Sequence, residues 1–135
     1  MERPSKICSV CGREFQWRKK WRENWHQINY CSAACRKAGL TDTNRKLETI
    51  ILRLLQARRK TASICPGEAA RELVGSDDQR LWRPLMEPAR RAARRLVHQG
   101  QIDILQGGKV VDPTQFKGPI RLKLKSLPGQ AGIEG

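Results

Sequence analysis

The chain has 135 residues, enough for one ordinary domain or two very small ones, and this length excludes a large multidomain enzyme. Its 27 Lys and Arg residues outnumber 13 Asp and Glu residues, which gives a formal net charge of +14. Because so large an excess of one sign makes a compact chain repel itself, the composition favours a polyanionic partner.

No membrane partner is expected, because no apolar run reaches the roughly 18 residues that a membrane-spanning helix needs. The first ten residues, MERPSKICSV, reach two cysteines before any apolar stretch of the signal-peptide kind. We therefore expect a cytoplasmic protein.

Four of the five cysteines form two pairs near the start of the chain. Cys8 and Cys11 have two residues between them, and Cys31 and Cys35 have three. In a reducing compartment such pairs are more often metal ligands than disulfides, and a module of about 40 residues needs a metal or another cross-link to fold. The spacing predicts one structural zinc ion held by four thiolates, with no open position for catalysis. His26 could replace a cysteine, but we favour a packing or surface role for it.

Aromatic and basic residues fill the segment between the cysteine pairs. Trp17, Trp21, Trp25 and Ile28 recur at helical spacing, which predicts one stripe on a helix. In the favoured interpretation these side chains pack around the metal as a small core. In the alternative, one indole is exposed and stacks on a base, while four neighbouring cations contact phosphates: Arg18, Lys19, Lys20 and Arg22.

The sequence CxxCGRxFxWRKKWxxxW, followed by YCSxxCR, resembles a family of short bacterial four-cysteine proteins of unknown function. Its YCSxxCR end is also similar to treble-clef zinc fingers, in which the second ligand pair lies at the start of a helix. The resemblance covers about residues 6–38. It implies a metal site and no particular activity.

A change in composition near Gly39 predicts a boundary between two modules. We predict a zinc-binding module over residues 1–40, a second module over 41–125 and a disordered tail over 126–135. Both modules carry an excess of basic residues, so both are expected to meet the same kind of partner.

Three helices are predicted in the second module. The first covers residues 43–59, where Leu47 begins a helical apolar pattern; the second runs from Pro66 to the stop signal at Gly75. Cys65 is the expected N-cap of the second helix, and a capping thiol is favoured over a reactive one. The third helix runs from residue 87 or 88 to residue 99, with Gly100 after it.

The third helix has two opposite faces. Its apolar face carries alanines, Leu96 and Val97, and its cationic face carries Arg90, Arg91, Arg94, Arg95 and His98. Guanidinium groups this close repel one another unless anions screen them, and Glu87 is the only acid in the same helix. We interpret the cationic face as a phosphate-contacting surface; a plain solvated face is the alternative.

Strand patterns surround the Gly107-Gly108 turn and predict a β-hairpin over residues 101–113, and a further alternating segment covers 119–125. Three helices followed by a hairpin is the order of a winged helix. The predicted fold is therefore a small zinc-stapled, treble-clef-like finger joined to an α+β winged helix with three helices and a β-hairpin. In a winged helix the third helix can enter the major groove while the hairpin touches the backbone.

The second module resembles another bacterial family of unknown function. The motifs that carry the resemblance are ICPGEAAR at residues 64–71, WRxLM at 82–86, VDP at 111–113 and GPIRL at 118–122. That family is thought to be winged-helix-like. The resemblance covers about residues 46–124 and implies no activity.

We predict a non-enzymatic nucleic-acid-binding protein, with DNA favoured over RNA because a helix and hairpin suit a duplex groove. The alternative is a zinc-containing adaptor for an acidic protein, such as a ribosomal or repair partner. No small-molecule substrate is expected, because the usual phosphate-binding and hydrolase motifs are missing from the sequence, although an enzyme that uses Cys65 remains a third hypothesis. The predicted phosphate contacts are Arg18, Lys19, Lys20, Arg22, Arg90, Arg91, Arg94, Arg95, Lys109, Arg121, Lys123 and Lys125.

Overall fold

A computed structural model describes residues 4–58 and 62–125, so the predicted disordered tail lies outside the described residues. Two separate hydrophobic clusters hold the chain together. One surrounds the cysteines and lies within residues 8–35, and the other joins the helices and the larger sheet within residues 47–124. Within the described parts of the chain, no helix is both long enough and apolar enough to cross a membrane.

The N-terminal module, here called the finger, consists of a hairpin, two short turns and a helix. Strands β1 (Ser5–Ile7) and β2 (Glu14–Gln16) pair in antiparallel fashion. Two 3₁₀ turns follow at Lys19–Trp21 and Trp25–Gln27, and the finger ends with α1 (Ala33–Ala38). This arrangement brings the loop of the hairpin and the start of α1 together.

The tryptophan segment does not form the single helix that its spacing predicts. Two 3₁₀ turns interrupt it, with Arg22, Glu23 and Asn24 between them. A straight helix over residues 17–28 would be about 18 Å long and would leave only two residues to reach Cys31. Because the two cysteine pairs meet in one cluster, the chain folds back on that cluster instead of extending away from it.

Among its described residues, the second module contains the three predicted helices, one additional short α-helix and a 3₁₀ turn at Arg83–Leu85. The α-helices are α2 (Asp42–Gln56), α3 (Pro66–Val74), α4 (Gln79–Trp82) and α5 (Met86–His98). The last residue predicted for the first of them, residue 59, lies outside the described residues. Pro88 falls in the first turn of α5, where its missing N–H removes no intrahelical hydrogen bond.

Cys65 is the N-cap of α3, as predicted. Its Sγ accepts a hydrogen bond of 3.3 Å from the backbone N–H of Gly67. The backbone N–H of Cys65 in turn donates to the Glu68 carboxylate at 2.9 Å, which completes a capping box. The thiol therefore has a structural role at this helix start.

The larger sheet has four antiparallel strands in the order β3-β6-β4-β5. They are β3 (Ser63–Ile64), β4 (Ile102–Gln106), β5 (Lys109–Val110) and β6 (Arg121–Leu124). The predicted hairpin is confirmed as β4 and β5, joined by two glycines that both have positive φ, as a tight two-residue turn requires.

Helix α5 packs between this core and the finger. Ala89, Ala92 and Ala93 are fully buried on its apolar face, where their small side chains allow close approach to α2 and α3. Its opposite face lies against the hairpin loop that carries the first two cysteines, as the hydrogen bonds described below show. Neither of these two faces of α5 is therefore fully open to solvent.

Candidate metal centre and finger surface

The structure gathers the four predicted cysteines into one cluster that could hold a metal ion. The Sγ atoms of Cys8, Cys11, Cys31 and Cys35 all lie within 4.8 Å of one another. The Sγ atoms of Cys11 and Cys31 are 3.7 Å apart, and those of Cys31 and Cys35 are 3.6 Å apart. Thiolates placed about 2.3 Å from a tetrahedral ion are about 3.8 Å apart, so the side chains fit such an ion. His26 is exposed and does not belong to the cluster.

Local hydrogen bonds hold each cysteine pair in place. In the hairpin loop, the N–H of Gly12 donates to the carbonyl of Cys8 at 3.0 Å, and Gly12 has a φ of 75°, a value that suits glycine. At the second pair, Ser32 is the N-cap of α1 and accepts a hydrogen bond from the N–H of Cys35. A turn and a helix start therefore present the two pairs to each other.

The thiols influence one another's ionisation. A hydrogen bond from Cys11, supported by backbone N–H groups, lowers the pKa of Cys8 to about 4 despite burial. The same hydrogen bond raises the pKa of Cys11, and burial raises that of Cys35. The cluster thus favours one thiolate, and a cation bound among the sulfurs would favour the thiolate form of all four.

Aromatic rings cover the cysteine cluster on one side. Phe15 is buried, and its ring lies edge-on to Trp21 and Trp25, each at a centroid distance of 5.6 Å. The two indoles stack on each other at 5.7 Å, and Lys6 lies 4.6 Å above the Trp25 ring. Trp21 and Trp25 pack against the cysteine cluster, so the packing interpretation holds for both; Trp17 is half-buried outside that cluster.

Arg95 on α5 is buried against the finger. Only 6% of it is exposed, and its Nη1 donates a hydrogen bond of 2.6 Å to the carbonyl of Val10. Its Nε donates to the Glu48 carboxylate at 2.7 Å, and its Nη2 donates to the carbonyl of Asn44 at 3.2 Å. All three nitrogens of the guanidinium therefore have partners inside the protein.

Arg94 and His98 bind the same loop. Arg94 is 1% exposed and donates 3.3 Å hydrogen bonds to the carbonyl of Cys11 and to Glu87. The Nε2 of His98 lies 2.9 Å from the carbonyl of Gly12, which accepts its hydrogen bond. A Cβ built on Gly12 would lie 2.3 Å from the Cβ of Arg94, so this close approach of loop and helix requires glycine.

The burial of Arg94 and Arg95 contradicts the prediction that both contact phosphates. Backbone carbonyls of the finger and two glutamates take the place of the expected anions. Arg91 is half-buried and pairs with Glu87 at 3.3 Å, and the Nε of Arg90 is buried without a hydrogen-bond partner among the described residues. The cationic face of α5 is thus mainly an interface between the modules.

The other predicted cations lie at the surface or close to it. Four of them belong to the finger, are exposed, and make no ion pair with a carboxylate of the described residues: Arg18, Lys19, Lys20 and Arg22. Lys109 and Lys125 are also exposed, and Lys123 is half-buried. Arg121 is exposed but donates to the carbonyl of Ser63 at 2.8 Å. We call the four finger cations the basic run.

A cleft of about 330 Å³ lies beside the basic run, and we call it the finger cleft. Its residues come from both 3₁₀ turns and the link between them, from the segment before Cys31 and from the start of α1. Sequence reasoning missed most of them, because scattered amides carry no recognisable spacing. The lining residues are Lys20, Trp21, Asn24, Gln27, Ile28, Asn29, Tyr30, Ser32, Ala33 and Arg36.

Two family models match the chain, one for each module. Residues 44–125 match the family described as "Protein of unknown function (DUF3253)". Residues 1–38 match the family described as "Uncharacterized protein conserved in bacteria (DUF2256)". A search of curated proteins found no match. Both expected resemblances to families of unknown function are thereby confirmed, in the expected order.

Proposed function

Since the chain belongs to the DUF3253 family of proteins of unknown function, which supplies no activity, we propose its function from the geometry of its residues. We propose a nucleic-acid-binding protein without enzymatic activity. The finger provides the binding surface, and the second module holds the finger through α5.

Zinc is the proposed metal of the cysteine cluster. Four thiolates in a tetrahedral arrangement are the donor set of structural zinc sites, and they leave no coordination position for a substrate. A loop followed by a helix start, each with two ligands, also supports a treble-clef-like finger. The metal would fix the loop whose carbonyls accept hydrogen bonds from α5, so it would also support the interface between the modules.

The second module is proposed to be a winged helix. Its order of α2, β3, α3, α5, a hairpin and a last strand supports this assignment, as does the position of β6 between β3 and β4. In most such folds the third helix can read a major groove. Here Arg94 and Arg95 are buried under the finger, which removes the main reason for favouring a DNA duplex.

The basic run is the observation that carries the proposal. Four exposed cations within five consecutive residues lack carboxylate partners in the described chain, although other exposed arginines, such as Arg53 and Arg80, do have them. Unpaired cations at this density favour phosphates, which bring their own negative charge and release counterions on binding. An acidic protein would satisfy the same charges, but the adjoining aromatic and amide cleft favours a nucleic acid.

A charge-matched pair of variants tests the proposal. The finger variant is R18Q/K19Q/K20Q/R22Q, and the control R53Q/R80Q/R83Q/K117Q removes the same number of exposed charges from the second module. We expect the wild-type protein to bind a labelled oligonucleotide of about twelve nucleotides in fluorescence anisotropy. The finger variant should bind at least about tenfold more weakly, and the control should stay within about twofold of wild type.

Circular dichroism and metal content check that both variants remain folded. Equal losses in the two variants would mean that net charge alone attracts the oligonucleotide. An unchanged affinity of the folded finger variant would contradict the proposed function.

A further inference from the structure

We propose that the finger cleft binds one unpaired nucleobase, so that the protein binds single strands more tightly than duplexes. This inference rests on the proposed function and specifies the form of nucleic acid that it acts on. It follows from the walls, the polar groups and the charge of the cleft.

The walls of the cleft suit a flat aromatic ring. Trp21 and Tyr30 are half-buried, and Ile28 and Ala33 add aliphatic surface between them. A volume of about 330 Å³ falls in the usual range for a small-molecule site. A base pair within a duplex cannot enter it, because the pair is stacked on both faces and joined to a backbone at each end. Because the Trp21 ring already stacks on Trp25 and lies under Lys20, a base in the cleft would pack against the edge of that ring. Aromatic side chains accept bases in this way whatever the identity of the base.

Amide side chains provide the means to recognise the edge of a base. Asn24, Gln27 and Asn29 line the cleft, and none of their side chains hydrogen-bonds to another described residue. Each amide offers both a donor and an acceptor, which is the pattern that pairs with an exposed base edge. All three amides are exposed, so they are available to a ligand that has several donors and acceptors.

The charge of the cleft suits the phosphates on either side of a bound base. Lys20 and Arg36 lie among the lining residues, and no carboxylate does. The Nζ of Lys20 lies over the Trp21 ring, 5.0 Å from its centroid, so a cation covers part of this aromatic wall. The basic run continues from Lys20, so a strand that leaves the cleft would meet further cations.

A duplex cannot offer the same contact without opening. Its bases are stacked and paired, and turning one outward costs the free energy of unstacking and unpairing it. An unpaired strand avoids that cost. The cleft therefore predicts a preference for single strands, whereas the basic run alone predicts none.

The test uses one phosphate backbone with and without bases. Single strands of about twelve nucleotides, abasic strands of the same length and matched duplexes are titrated with wild-type protein. The cleft variant N24A/Q27A is compared with Q79A/Q115A, which removes two exposed amides elsewhere. We expect wild type to bind abasic strands and duplexes roughly tenfold more weakly than it binds normal single strands. On normal single strands, the cleft variant should bind roughly tenfold more weakly than wild type, and Q79A/Q115A should bind as wild type does. RNA and DNA strands are titrated separately, so that the sugar preference is measured as well.

The outcomes separate this inference from the function on which it rests. If strands with and without bases bind equally, and the cleft variant behaves as wild type, the base-binding inference is wrong. If the finger variant R18Q/K19Q/K20Q/R22Q nevertheless binds the same strands more weakly than wild type, the proposed nucleic-acid binding stands. If wild type binds none of these strands, both the base-binding inference and the proposed nucleic-acid binding are wrong.

Discussion

The guanidinium of Arg95 donates a 2.6 Å hydrogen bond to the carbonyl of Val10, a residue that lies between the first two cysteines. The bond connects α5 to the loop of the cysteine cluster. Arg94 and His98 bind the next two carbonyls of the same loop. A change in either the loop or α5 is therefore expected to weaken the contact between them.

Replacing Arg95 should destabilise the protein much more than replacing Arg91. Arg95→Ala leaves Glu48 and the carbonyl of Val10 without their partner at a buried site, and the expected loss is about 3 to 5 kcal/mol of unfolding free energy. Arg91→Ala removes only a half-exposed ion pair, which is worth less than about 1 kcal/mol. Urea unfolding measures both, and equal losses would show that the buried contacts are not decisive.

Gly12→Ala should weaken the contact between finger and helix. Alanine at this position incurs the strain of a positive φ, and its Cβ would lie 2.3 Å from the Cβ of Arg94. Gly75→Ala is the matched control, because Gly75 also has a positive φ but would meet nothing within 4 Å. We expect Gly75→Ala to lower the unfolding free energy by about 1 kcal/mol. Gly12→Ala should lower it by roughly 1 to 3 kcal/mol more than Gly75→Ala does, and urea unfolding measures both values. Equal losses would mean that the loop moves away from α5 freely.

Much of the local structure could be predicted because its causes lie close together in sequence. The cysteine spacing indicated the cluster, Pro66 and Gly75 bounded α3, and the Gly107-Gly108 turn marked the hairpin. Each of these signals concerns residues that act on their immediate neighbours. The corresponding predictions are confirmed within a few residues.

The partner of the α5 cationic face could not be predicted in the same way. Its main acceptors are the backbone carbonyls of Val10 and Cys11, more than eighty positions away in sequence, and a carbonyl has no signature in the residue type. Glu48 lies on another helix, 47 positions away in sequence, so no local pattern connects it with Arg95. A row of arginines therefore predicted anions without indicating whether they lay inside or outside the protein.

Removing the metal should affect the finger before the second module. A structural metal contributes folding free energy directly, and the finger has only a small hydrophobic cluster besides it. Three of the four tryptophans lie in the finger, whereas most helical residues lie in the second module. A strong chelator should therefore change tryptophan fluorescence while far-UV circular dichroism keeps most of its helical signal. Unchanged fluorescence after complete metal removal would contradict a structural metal.

Acid should remove the stabilising effect of Glu68. Burial raises the pKa of the Glu68 carboxyl in the folded protein, but hydrogen bonds from Arg58 and from the Cys65 N–H lower it by more. The folded-state pKa of Glu68 is therefore below its ordinary value. Its contribution is therefore fully present above the ordinary glutamate pKa of about 4.3 and is lost as the pH falls through the lower folded value. Wild type should be more stable than Glu68→Gln at about pH 6, and the gap should narrow as the pH falls below about 4.

The two proteins are compared at each pH, so that loss of metal in acid affects both. A stability gap that does not change with pH would show that the carboxylate charge has no part in capping α3.

The salt dependence of single-strand affinity is the sharpest test of nucleic-acid binding by the finger, because it counts the phosphate contacts made by the basic run. Log affinity falls with log salt by about 0.7 for each phosphate contacted on a single strand. We expect R18Q/K19Q/K20Q/R22Q to lower the magnitude of this slope by about 2 to 3, and R53Q/R80Q/R83Q/K117Q to leave it unchanged. If the finger variant retains the wild-type slope, the exposed cations of the finger do not contact the nucleic acid, and the proposed function is wrong.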